Sequence, residues 1–171
     1  MQPEHQAFFF DAIRRGDLHD VAKAAELVPA LIQSQDAKGY TPLIIAAYNN
    51  QPEVVALLLQ LGADIDAADS AGNTALMGAS FRGYGAIVQQ LLDAGAAVNR
   101  LNTQGAPALT FAATFGQLAI AELLLQHGAD VNLHDSRGKS PLDHAVLQEN
   151  EEMIRLMERH AAGSGGNSTG G

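Results

Sequence analysis

The 171-residue sequence predicts an all-α fold, a stack of repeated helix pairs. Gly39, Gly72, Gly105 and Gly138 recur every 33 residues, and Asp36, Asp69, Asn102 and Asp135 keep the same interval, the mark of stacked supersecondary units. Ala and Leu dominate, aromatic residues make up only 5%, and there is no Trp, which suits small helices packed closely together. Each unit holds two short apolar-faced segments bounded by Gly, Pro or Asn, the punctuation of a helix pair.

Taken in order, residues 3–15 form a first helix with Phe9, Ala12 and Ile13 in one stripe, Phe8 and Phe10 flanking it, and Gly16 at its end. Asp17 caps a second helix that Pro29 stops. This pair lacks the turn of the later units and is a divergent N-terminal cap over 3–35. In the unit 36–68, Asp36 bonds the backbone ahead of it, Gly39 takes a positive φ, and Thr41-Pro42 start a helix packed through Leu43, Ala46 and Ala47. Asn50 reverses the chain, Pro52 opens a second helix with Val54, Val55 and Leu57 to Leu59 as its apolar face, and Gly62 ends it. Ala63 to Asp66 should then run extended.

The unit 69–101 repeats this with Thr74, Leu76, Gly83, Leu91, Leu92 and Gly95, without Pro after the capping Thr. The unit 102–134 has Pro107 in place of the Thr, so its first helix loses the hydroxyl cap. The unit 135–162 keeps Gly138, Ser140, Pro141 and Leu142, but its last helix is polar along Glu151, Glu152, Arg155, Glu158 and Arg159. That suits a C-terminal cap facing water. The picture is one domain over 1–162, followed by a flexible Gly/Ser tail over 163–171.

Composition excludes several classes. A net charge of −9 and a pI near 4.9 repel phosphate backbones and argue against nucleic acid. No segment approaches the roughly 20 apolar residues that cross a bilayer. The absence of Cys removes disulfides and thiolate metal sites, and the N-terminus lacks the basic start and apolar run of a secretory leader, so a cytoplasmic location is expected.

The segments GYTPLIIAAYNNQPEVVALLLQLGADID, GNTALMGASFRGYGAIVQQLLDAGAAVN and GQLAIAELLLQHGADVN resemble ankyrin repeats, and the likeness covers about residues 8 to 161. It implies a solenoid of β-turn, helix, helix units with N- and C-terminal caps. Turns would project as fingers, and first helices would line a concave groove. The family's His after Thr-Pro-Leu is replaced by Ile44, Met77, Thr110 and Asp143, and Gln90 stands in a slot usually held by Leu. TALMGASFRGY and FAATFGQ are also similar to small stand-alone bacterial ankyrin proteins, some encoded beside catalase. LQHGADVN resembles segments in which Asn is hydroxylated, although Asn132 is read here as bonding its own turn.

If frame residues build the stack, function falls to slots that vary between units. At the turns these include Lys38, Tyr40, Asn73, Gln104, Arg137 and Lys139. After each Ala-Ala, or Ala79-Ser80 in its place, they are Tyr48 and Asn49, Phe81 and Arg82, and Thr114 and Phe115. Tyr48, Phe81 and Phe115 would put an aromatic in each successive repeat, either as partner anchors or as filling between first helices. The basic side chains among these slots would steer an acidic or amphipathic partner segment.

Six His residues show no metal-ligand spacing, and no GxSxG elbow accompanies the Ser, His and Asp residues. Neither enzyme activity nor a metal or cofactor is expected. The sequence reads as a monomeric, non-catalytic module that binds a partner protein through its concave face and fingers. The alternative is an accessory protein of an oxidative-stress pathway that binds or protects an enzyme such as catalase.

Overall fold

A computed structural model describes residues 2–163, so the Gly/Ser stretch from 164 onward lies outside the described residues. Those described form ten α-helices and one 3-10 helix: α1 (Pro3–Arg15), α2 (Leu18–Leu27), the 3-10 turn Pro29–Gln33, α3 (Pro42–Tyr48), α4 (Pro52–Gln60), α5 (Ala75–Arg82), α6 (Gly85–Asp93), α7 (Ala108–Thr114), α8 (Leu118–Gln126), α9 (Pro141–Leu147) and α10 (Glu151–Gly163). The odd-numbered helices pack in one layer and the even-numbered ones in a second. One continuous core lies between the layers, from Phe9 and Ile13 through Leu58, Leu91 and Leu124 to Met157. No helix among the described residues is long and apolar enough to cross a membrane.

Helix starts follow the capping chemistry of the sequence. The Asp17 carboxylate accepts from the Asp20 N–H, and the Thr41 hydroxyl accepts from the Ile44 N–H at 3.2 Å. Pro107 caps α7 with no side-chain bond, and the buried Thr110 hydroxyl has no hydrogen-bond partner among the described residues. Asp143, in the slot of the missing family His, makes a reciprocal cap at α9. Its backbone N–H donates to the Ser140 hydroxyl, and its carboxylate accepts from the Ser140 N–H at 2.8 Å.

Each turn is closed by one side-chain oxygen. Asp36 Oδ1 accepts from the N–H groups of Lys38 and Tyr40, Asp69 Oδ1 from Ala71 and Asn73, Asn102 Oδ1 from Gln104 and Ala106, and Asp135 Oδ1 from Arg137 and Lys139, all at 2.9–3.0 Å. Successive turns join directly: the N–H groups of Ser70, Thr103 and Ser136 donate to the carbonyls of Lys38, Ala71 and Gln104 at 3.2, 3.0 and 2.8 Å. On the other edge, the Gln33 amide donates to the Gly62 carbonyl and accepts from the Asp64 N–H, and Asn99 does the same for Gly128 and Asp130. Asp66, midway between Gln33 and Asn99, accepts from the Ala97 N–H at 2.9 Å. The side chains of these three residues, 33 apart, stitch neighbouring units, a role the sequence reading missed.

The structure sharpens or changes several expectations. Of the two residues flanking the first stripe, Phe10 is buried beside Phe9, because the first helix is covered on two sides, by α2 and α3. The segment after Gly62 is not extended throughout, since a turn closes at Ala67, whose N–H donates to the Asp64 carbonyl. Gln90 keeps its Leu slot by donating to the Pro52 carbonyl at 3.1 Å. Helix α10 takes in Gly163, buries Met153, Leu156 and Met157, and leaves its charged residues to solvent. Val146 occupies the slot in which Ala47 and Ala113 are fully buried by the following unit, and here it is 53% exposed.

The turn glycines test this packing. Gly62 and Gly72 both have positive φ, but a Cβ on Gly62 meets nothing within 4 Å, whereas one on Gly72 comes 2.7 Å from the Thr103 nitrogen. Urea denaturation should find Gly62→Ala destabilised by about 1 kcal/mol, the left-handed penalty alone. Gly72→Ala should lose at least ~2 kcal/mol, because the backbone of the next turn must also move. Equal losses would refute turn-on-turn packing.

Candidate functional site

Helices α3, α5, α7 and α9 pack against the second helices of their units, and residues of α3 and α5 line one surface together with Asp69 and Asn73 of a turn. The groove lies there. Tyr48 and Phe81 stack with ring centroids 6.2 Å apart and planes 6° from parallel, and Phe115 meets Phe81 edge-on at 4.7 Å. The rings pack together and still present surface, with Tyr48 41% and Phe115 51% exposed. Arg82 lies with its guanidinium 4.9 Å over the Tyr48 ring and within 2.7 Å of the Tyr84 hydroxyl. That hydroxyl, with a smaller part from Tyr48, raises the Arg82 pKa above its ordinary value.

The other expected residues divide by how far the stack engages them. Lys38, Gln104, Arg137 and Lys139 are exposed on the fingers. Tyr40 is half-buried against the core. Asn73 is half-buried too, and its side-chain oxygen accepts from the Asn102 amide at 2.9 Å, which commits it to joining two turns. Asn49 donates to the Ile45 carbonyl, and Thr114 returns its hydroxyl to the Thr110 carbonyl, so both close their own helix ends. Asn132 is exposed, and its backbone N–H donates to Asp130 Oδ1 at 2.8 Å.

Between α3 and α5 the groove deepens into a hollow of about 460 Å³ lined by Ile44, Ile45, Met77, Gly78 and the rings of Tyr40, Tyr48, Phe81 and Phe111. Arg14, Asn49, Asp69 and Asn73 also border it. Arg14, Gly78 and Phe111 escaped the sequence reading. A signal existed: Ile45, Gly78, Phe111 and His144 share one slot just before the Ala-Ala position, and its size changes more from unit to unit than that of any slot singled out. A more open depression of about 730 Å³ between α8 and α10 mixes Leu118 and Leu156 with Glu122, Glu152, Arg155 and Arg159.

His144, in that variable slot, lies with Nε2 2.7 Å from Asp135 Oδ2. Among the described residues no group of three or more His, Asp or Glu side chains is placed to hold a metal ion. What this pair does is brace the last turn against α9.

A two-layered helical solenoid with projecting turns and an aromatic-lined groove defines a repeat protein of the kind that presents a surface. The family model for ankyrin repeats (3 copies) matches residues 10–102 and 76–164, and the chain belongs to the ankyrin-repeat family. Such repeats are generally protein–protein interaction modules and generally non-catalytic. Comparison with curated proteins finds no match.

Burial raises the Asp135 pKa, but the bond to His144 and the two backbone N–H groups lower it further, leaving it below its ordinary 3.8. Asp143 is likewise held low, first by the Ser140 N–H, then by its hydroxyl. A depressed folded-state carboxylate stabilises the fold above its unfolded pKa, and that contribution is lost as pH falls through the lower folded value. Asp135→Asn keeps the turn, as Asn102 does in the preceding unit. In urea titrations between about pH 6 and pH 3 it should lose less stability than the native chain, and an equal acid loss would discount the pair.

Proposed function

We propose that this chain is a non-catalytic module that binds a partner protein through the groove of its first helices and the fingers beside it. The observation that supports the reading most is the run Tyr48, Phe81 and Phe115. Three aromatic rings cross three units in mutual contact yet remain partly open to water, when a helix pair needing only to fill its seam could have covered them. Half-exposed aromatics held rigid by neighbours lose little entropy on binding, which is why they dominate interface energetics. Lys38, Tyr40, Asn73, Gln104, Arg137 and Lys139 form the finger side of the same surface, with Asn49, Arg82 and Thr114 on the helix side.

The oxidative-stress reading rests on TALMGASFRGY and FAATFGQ. In the fold these segments form most of α5 and α7 together with the chain reversals after them, so their residues build the stack and the groove whatever protein occupies it.

The test is capture of partners from native lysate with the native chain and with the triple substitution Tyr48→Ala, Phe81→Ala, Phe115→Ala. The native chain should retain at least one partner specifically. The variant, shown folded by circular dichroism, should retain it at least about tenfold less, since interface anchors typically contribute 2 kcal/mol or more. A folded variant that keeps every partner would place the binding surface elsewhere.

A further inference from the structure

The fold explains why each first helix needs small Ala residues beside the next unit, but not why the slot before them holds Gly78. A glycine inside an eight-residue helix weakens it, and nothing here requires one. Gly78 has an ordinary helical φ, and a Cβ built on it would meet only Tyr48 Cδ2, at 3.6 Å, which is normal contact. Ile45 and Phe111 fill the same slot in the units on either side. What Gly78 leaves is space: the hollow of about 460 Å³ opens between Ile45 and Phe111, with Tyr48 and Phe81 beside it.

The charges around the hollow have a definite bias. Arg14 borders it, and Arg82 lies over Tyr48, one of its lining rings. Among the described residues neither guanidinium is in an ion pair, whereas Arg15 pairs with Asp11 and Asp20, and Arg155 with Glu151. In a protein of net charge −9, two arginines outside any ion pair lie at one apolar opening, Arg14 on its border and Arg82 over one of its rings. Asp69 also borders it, but its Oδ1 is engaged by the N–H groups of Ala71 and Asn73, which spread part of its charge into the turn.

We propose that the hollow over Gly78 receives one bulky apolar side chain from a linear segment of the partner protein, and that acidic residues next to this anchor pair with Arg14 and Arg82. The inference rests on the groove reading above and goes beyond it by naming the subsite and the chemistry of the segment. Apolar burial supplies the affinity, and carboxylates facing unpaired arginines fix the direction of the segment and exclude basic ones.

The test is to pan a random linear peptide library, displayed on phage, against the full native chain and to synthesise an enriched peptide with a fluorescent label. The expected sequence carries Leu, Ile, Met, Phe or Trp next to Asp or Glu. Affinity is then measured for the native chain, Gly78→Leu, the charge-reversed pair Arg14→Glu with Arg82→Glu, and the triple aromatic variant. Gly78→Leu should melt no lower than the native chain, because leucine favours helix and the units on either side accommodate Ile or Phe there. It should nevertheless bind the peptide about thirtyfold more weakly. Charge reversal should weaken binding about tenfold or more, with a loss that shrinks at high salt.

Loss of affinity in the triple variant but not in Gly78→Leu would overturn the pocket and leave the groove reading standing. Affinity unchanged in both would overturn both. Enrichment of basic or uncharged peptides would overturn the acidic assignment. Failure to enrich any peptide would overturn a linear-segment pocket, while a captured protein partner still sensitive to the triple variant would preserve the groove. A dimer of the native chain that Gly78→Leu abolishes would assign the hollow to a second copy and overturn the partner.

Discussion

No helix pair in this protein can bury its own apolar face, and everything else follows from that shortage. Helices of seven to nine residues, too short to persist alone, exist because the next unit covers them. The contrast between Ala47 or Ala113, fully buried, and Val146, open at the last first helix, shows the same slot with and without a neighbour. Polar chemistry reinforces the apolar stacking at both edges. Four Asp or Asn side chains shape the turns so that their backbones bond one another, and Gln33, Asp66 and Asn99 tie the opposite edge. Because the main helix–helix contacts among the described residues join neighbouring units, the damage from one substitution should stay local in structure even where it is large in energy.

The groove is a by-product of this arrangement that has been given content. Small residues on the packing flank let the first helices approach closely, so side chains one or two positions away are brought within ring contact of those of the next unit. Tyr48, Phe81 and Phe115 use that proximity to hold one another rigid, and Arg82 lies over the Tyr48 ring. A missing side chain at Gly78 then turns a continuous ridge into a recess. The acidic surplus of the whole chain matters less here than two arginines that stand outside any ion pair among the described residues.

Legibility differed by kind of residue. Asp36, Gly39, Thr41 and their counterparts could be read because capping and turn geometry are local: a side chain bonds backbone groups two to four residues away. Pro107 as a failed cap was legible for the same reason. Gln33 and Asn99 were not, because their partners are carbonyls and N–H groups about thirty residues on, and nothing nearby in the chain distinguishes them from solvated amides. Phe8 and Phe10 could be read as flanking the first stripe, but only the tertiary position of α1 decides that Phe10 is buried and Phe8 half-exposed. Asn73 and Thr114, assigned to the surface by their variable slots, have donors or acceptors already engaged within the stack.

The sequence by itself therefore determined the repeating unit, its all-α character, the turn residues and the family, since each depends on short-range chemistry repeated at a constant interval. It also identified Tyr48, Phe81, Arg82 and Phe115 as residues left over once the frame was accounted for. Only the tertiary structure decided that these four touch, that Arg14 from the N-terminal helix borders the same opening, and that Gly78 leaves a hollow there. The physical reason is distance along the chain: a groove is made by side chains about 33 residues apart, and its shape depends on the separation and tilt of helices that no local pattern encodes.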